Sequence, residues 1–277
     1  MRSWSSPLRD SHHTIRCSAH CALAARLLSA VAVLAALALS LSTPAPASAA
    51  TQRALLVGIN EYQALPDLGG AVNDVRLLRE ILVQRFGFPA DQVRVVTDEQ
   101  ATRKGILAAL KTLVDESEPG DLVYFHYSGH GSQASDRNGD EPEGMDETLV
   151  PHDGRTRRIP DILDDELARL LGKLDAEQTV VVLDSCHSGT ATRGGSFAVR
   201  RVEPDARETL YEQVATRAVV PLEQEDYVLL TGAASNQDAL DGPIDGRAHG
   251  LFSYALARSM IRNGPRGSAR QVFSGVE

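Results

Sequence analysis

"VVVLDSCHSG", residues 180–189, decides how this chain is read. Val180 to Leu183 are aliphatic at every position, the pattern of a strand covered on both faces of a parallel sheet. The run then stops at an acid, a serine and a thiol. Reactive side chains therefore stand at the carboxyl end of a strand, which is where open α/β sheets form their sites.

Working outward, RALLVGI (53–59) is a short aliphatic strand, and Val72, Val75, Leu78, Leu82 and Phe86 recur at helical spacing before Gly87. Residues 92–97 read as a second strand, 102–117 as a helix, DLVYFHY (121–127) as a third strand and 164–174 as a helix. After the opening stretch come a fifth strand, DYVLLTG (226–232), and a helix over 250–262. Strands alternating with helices predict an α/β fold, a mostly parallel sheet flanked by helices. Residues 132–161 read as an acidic loop with a short hairpin around Glu147 to Pro151. Residues 190–224 carry Arg193, Arg200, Arg201, Arg207 and Arg217 with little periodicity, the pattern of a surface linker.

The first 49 residues read as a cleavable signal peptide: Arg2, Arg9, Arg16 and Arg26 precede an apolar run from Leu27 to Leu41, and Ala47-Ser48-Ala49 fits a cleavage site. An uncleaved anchor is the competing reading, but the run is short for a spanning helix. Cleavage predicts a secreted or extracytoplasmic protein with no stable membrane span. The mature chain would hold 24 basic and 36 acidic residues, a net charge of −12 that argues against a nucleic-acid partner. Cys17 and Cys21 leave with the signal, so Cys186 is the single mature cysteine and no intrachain disulfide can form.

A lone cysteine can simply be a small buried hydrophobe; its neighbours point elsewhere. His130 closes the third strand between Gly129 and Gly131, as Cys186 closes the fourth ahead of Gly189. An imidazole beside a thiol activates it, and glycine-rich turns leave amides free for an oxyanion. This is the layout of a thiol hydrolase. His126, inside its strand, His187, His152 and His249 read as packing or surface residues. Asp184 lies two positions before Cys186 and shares its face if the strand persists, which favours a cationic substrate side chain.

"HYSGHG" (126–131) and "DSCHSG" (184–189), with "LLVGINEY" and "GGAVNDV" ahead of them, resemble the caspase-related cysteine peptidases, and within them the metacaspases, over residues 53–262. The Q-A-C-x-G signature of animal caspases is absent. The resemblance implies a caspase-like three-layer sandwich in which residues 50–193 form a large-subunit-like part, 194–225 a linker and 226–277 a small-subunit-like part that the given sequence could truncate. It implies His130 as general base and acid, Cys186 as nucleophile, and the amides of Cys186 and Gly131 as the oxyanion hole. It implies substrates with Arg or Lys before the cleaved bond, held by Asp74, Ser128 and Asp184, although Asp74 alone also reads as a solvated first-turn acid. No cofactor is required for the chemistry. Calcium is a candidate activator at Asp146, Asp164 and Asp165, against which stand ordinary helix-capping acids and Arg193 where a further aspartate would fall. Arg200-Arg201 is the expected self-cleavage site, the competing reading being an inert loop. A non-catalytic caspase-like module binding basic peptides is the alternative function. The sequence specifies no oligomeric state.

Overall fold

The register of the central sheet is what assembles the site. In this computed structural model, which describes residues 50–139, 141, 144–186, 197–212, 227–233, 238–267 and 271–272, strands β1 (Gln52–Gly58), β2 (Val93–Thr97), β3 (Leu122–Ser128), β7 (Gln178–Asp184) and β9 (Val228–Thr231) form one sheet in the order β2-β1-β3-β7-β9. Every neighbouring pair is parallel. Gly58 faces Ser128, Ser128 faces Asp184, and Leu183 faces Thr231, so three strand ends finish level. The mostly parallel α/β sandwich expected from the aliphatic runs is the observed architecture.

Those runs are apolar at successive positions because both faces are covered. Leu55, Val57, Phe125 and Val181 pack with Ile106 and Leu110 of helix α2 (Arg103–Glu116) and Leu167 of helix α3 (Asp164–Leu171). Leu56, Tyr124 and Val182 pack with Val75 and Leu78 of helix α1 (Ala71–Arg85) and Leu256 and Met260 of helix α5 (Leu251–Asn263). Thr102 caps α2 by accepting from the Gly105 amide at 3.1 Å. Leu56 is fully buried, and its truncation to alanine would cost about 2–5 kcal/mol.

Two small sheets stand beside the carboxyl ends. Strands β4 (Gly131–Ser135), β5 (Met145–Leu149) and β6 (Ile162–Leu163) make one, so the expected hairpin is part of a larger antiparallel unit. Strands β8 (Ala198–Val199), β10 (Leu240–Ile244) and β11 (Arg247–Gly250) make the other. Because β9 completes the main sheet while β10 packs on α5 and β11 on α1 and α5, these later strands share one compact unit with β1, β3 and β7.

The surface-linker reading of residues 194–225 requires correction. Its described part contributes β8 and a short helix α4 (Glu208–Tyr211), and Arg200 is fully buried. Antiparallel pairing with β10 supplies the backbone partners that a two-residue strand cannot announce through periodicity. The signal-peptide segment, His187 and Arg193 lie outside the described residues.

Candidate active site

The level strand ends place Ser128 and Asp184 side by side, and the start of α1 brings Asp74 against them. The Arg200 guanidinium lies among these groups. Its Nη1 sits 2.5 Å from Ser128 Oγ and 2.9 Å from Asp184 Oδ2; its Nη2 sits 2.7 Å from Asp74 Oδ2 and 2.8 Å from Asp241 Oδ2. All three predicted pocket residues thus converge on one cation. Asp241, on β10, is the acid that sequence reading missed. It is anchored by the amides of Gly69 and Gly70 at 3.1 and 3.0 Å. Gly70 has to be glycine, because a Cβ there would lie 2.5 Å from the His249 backbone.

Amides at the start of α5 also face this pocket, and the first turn of a helix is where unpaired N–H groups meet anions. Gly250 N donates to Asp74 at 3.1 Å and Ser253 N to Asp184 Oδ2 at 3.0 Å, with Ser253 Oγ donating to the same oxygen at 2.6 Å. Burial pushes the Asp74 carboxyl up, but Arg200, His249 and Ser128 more than offset it and leave it below the ordinary carboxylate range. His249 is no surface residue, since its Nδ1 lies 2.9 Å from Asp74 Oδ1. His126 is a packing residue, its Nε2 3.2 Å from Ser253 Oγ and its pKa lowered by burial to about 3. His152 is held through its Nδ1 by the Glu61 carbonyl.

The side chains of His130 and Cys186 share no hydrogen bond with each other; each is held by a different backbone segment, Pro66 for the imidazole and Ala239 for the thiol. The His130 Nε2 lies 2.9 Å from the Pro66 carbonyl, which can only accept, so Nε2 carries the proton and the buried Nδ1, without a hydrogen-bond partner, presents its lone pair. Tyr62 receives the His130 amide at 2.8 Å and packs its ring 4.7 Å from the imidazole, fixing the ring's orientation. Burial lowers the imidazole pKa to about 4 and raises the Cys186 thiol to about 11, so both are neutral between those values. The Cys186 thiol contacts the backbone of Ala239.

The Arg200 carbonyl oxygen accepts from Gly131 N at 3.0 Å and from Cys186 N at 3.2 Å, the two amides expected to form an oxyanion hole. Arg200 N donates to the Ala239 carbonyl at 2.9 Å, and Val199 pairs with Leu240. Residues 198–200 therefore lie across the site as an added antiparallel strand, the geometry of a bound peptide.

Residues 52–193 match the family profile described as metacaspase, peptidase C14 domain. This chain belongs to the metacaspase family. It is 30% identical to Metacaspase-1 of Schizosaccharomyces pombe over 271 residues, covering 81% of this chain and 63% of that protein. With Metacaspase-1 of Sclerotinia sclerotiorum it shares 38% identity over 269 residues, covering 81% and 62%. The chain thus spans a little under two thirds of the length of these relatives. The crystal structure of a Geobacter sulfurreducens protein superposes with a TM-score of 0.62 at 25% identity, covering 82% of this chain and 88% of that one.

In this metacaspase the residues read as calcium ligands do not form the set expected. Among the described residues, the carboxylates that converge are Glu141, Glu147 and Asp164, with ligand oxygens within 4.8 Å of one another. Asp146 is buried on β5, and Asp165 accepts from Asn138 Nδ2 at 2.6 Å. Because side chains alternate along a strand, Glu147 and not Asp146 turns toward Asp164. Asp164 keeps a buried oxygen without a partner, and burial, then Glu147 and Asp146, raise its pKa to about 8. Hard oxygen donors at this spacing are of the kind that would hold a divalent cation such as calcium, which would supply neutralising charge there. No described helix is long and apolar enough to cross a membrane.

Proposed function

We propose that the protein is an exported cysteine endopeptidase that cleaves after Arg or Lys, and that its own Arg200-Arg201 bond is its first substrate. The observation that carries this reading is the Arg200 carbonyl, bonded to the Gly131 and Cys186 amides while its side chain fills the acidic pocket. In the mechanism, Cys186 Sγ attacks the Arg200 carbonyl carbon and His130 Nδ1 takes the thiol proton. The two amides hold the oxyanion, and His130 returns the proton to the departing Arg201 amine, leaving a thioester that water hydrolyses. Because both partners start neutral, the proton moves during attack rather than beforehand.

Asp74, Ser128 and Asp184 position the basic side chain in this scheme. The chemistry needs no cofactor; Glu141, Glu147 and Asp164 would hold a calcium ion, whose charge would offset their repulsion and so serve as an activating influence. Export rests on the amino-terminal charge and cleavage pattern. A module that merely binds basic peptides is disfavoured by the oriented imidazole, whose free Nδ1 has no binding role.

Cys186→Ala and His130→Ala should each abolish self-cleavage and turnover of an Arg fluorogenic peptide, by at least about a thousandfold, with no further loss in the double variant. Either folded variant retaining most activity would remove the mechanism. Mass spectrometry should locate the new termini at Arg200 and Arg201.

A further inference from the structure

The inference here rests on Arg200-Arg201 being the bond attacked, and it comes from how unequally the two sides of that bond are held. Ahead of it, among the described residues, the chain is held by the pairing of the two-residue strand β8 with β10 and by Arg200 itself, whose amide donates to the Ala239 carbonyl at 2.9 Å. Beyond it the chain is fastened repeatedly. Val202 N donates to the Gly131 carbonyl at 3.1 Å, and Asp205 N to the Gln133 carbonyl at 2.8 Å. Ser132 Oγ lies 3.1 and 2.9 Å from the carbonyls of Val202 and Glu203, and Arg155 Nη1 donates to the latter at 2.8 Å.

Further along, Arg207 donates to the Thr156 carbonyl and, at 3.2 Å, to that of Ile159. The buried Tyr211 hydroxyl accepts from the Asp161 amide at 3.0 Å and donates to Asp205 at 2.8 Å. None of these contacts crosses the Arg200-Arg201 bond. Cutting it therefore removes none of them, and the new amino terminus at Arg201 stays where it was released.

We infer that the cut is reversible on the enzyme: the retained Arg201 amine re-forms the peptide bond from the Cys186 thioester in competition with water, so the cleft ligates as well as cleaves. In the return step the neutral amine attacks the Arg200 thioester carbonyl. The C–N bond forms, the C–S bond breaks, and the amine proton passes through His130 to the Cys186 sulfur. No other reactant is consumed. A nucleophile held beside its electrophile competes at an effective concentration far above that of a free amine. Net scission is then limited by how seldom water wins.

The experiment uses the full chain with and without neutral hydroxylamine, which captures a thioester irreversibly. Hydroxylamine should accelerate scission at Arg200 by at least about fivefold and leave the upstream fragment ending in an Arg200 hydroxamate. Ser132→Ala with Arg207→Ala, which loosens the downstream segment, should cut faster unaided and respond less to hydroxylamine. Scission at Arg200 at an unchanged rate, ending in a carboxylate, overturns the inference while leaving the peptidase reading intact. Absence of scission at Arg200 in both arms overturns both. The measurement on the unaltered protein stands even if the double variant folds poorly.

Discussion

Among the described residues, two groups of three carboxylates resolve their mutual repulsion differently. Asp74, Asp184 and Asp241 surround a fully buried guanidinium, supported by helix-start amides. Glu141, Glu147 and Asp164 converge at the outer β5–α3 corner, where Asp164 holds its proton up to about pH 8. Crowded acids can be stabilised by a fixed cation or by a retained proton. The pocket relies on the first device, which holds Asp74 below the ordinary carboxylate range although burial still pushes Asp184 up, whereas in the outer group Asp164 retains its proton.

The comparison breaks most visibly if Arg200 is removed. Arg200→Ala, studied with Cys186→Ala to prevent cutting, should destabilise the protein by about 3–5 kcal/mol in urea denaturation, since three buried acids lose their cation. An unchanged midpoint would mean that the pocket acids do not depend on the guanidinium. Next in size is Asp241→Asn. It should lower kcat/KM for Arg peptides about tenfold and affect Lys peptides less, because Arg presents one nitrogen to Asp74 and Asp241 and the other to Ser128 and Asp184. Equal losses for both substrates would deny Asp241 a role in telling them apart.

Titration sharpens the contrast further. His130, lowered to about 4, is the neutral base above that pH, so self-cleavage should hold its rate from neutrality down to about pH 5 and fall below about 4. A decline centred near 6.5 would contradict the buried, neutral pair. The smallest effect concerns Asp164, whose folded pKa is raised to about 8 from an ordinary 3.8. The stability tied to its proton is present below about 3.8 and is lost as pH rises through about 8. In chelator, Asp164→Asn should therefore melt a few degrees higher than the parent at pH 8 and alike at pH 4. Millimolar calcium should raise the melting temperature of the parent but not of the variant; a parent indifferent to calcium would leave only capping acids.

The parts of the pocket legible in sequence were those carried by continuous runs. β3 and β7 announce themselves by runs of aliphatic and aromatic residues, broken in β3 only by His126, and whatever follows those runs, Ser128, His130, Asp184 and Cys186, is thereby placed. Asp74 was recognisable only through its motif, since a first-turn acid has an ordinary explanation. Asp241, His249 and Ser253 gave no local signal: each acts through a partner more than sixty residues away, reached by β10, β11 or the start of α5. The burial of Arg200 was hidden for a related reason. A composition rich in arginine reads as solvated unless the acids that will enclose it are already known to converge, and β8 is too short to show alternation. Alternation along β5 could have corrected the choice of Asp146 over Glu147.

The pocket draws Asp74, Ser128, Asp184, Arg200 and Asp241 from segments distributed through most of the described chain. A partly folded molecule lacking β10 has no Asp241 in place and no strand for residues 198–199 to join. Contacts this distant in sequence form late, after the local helices and neighbouring strands. The Arg200 carbonyl thus meets the Gly131 and Cys186 amides only when the last hairpin has docked, and under the self-cleavage proposed above a cut between Arg200 and Arg201 would act as a checkpoint mark, recording in the covalent structure of each molecule that its folding has finished.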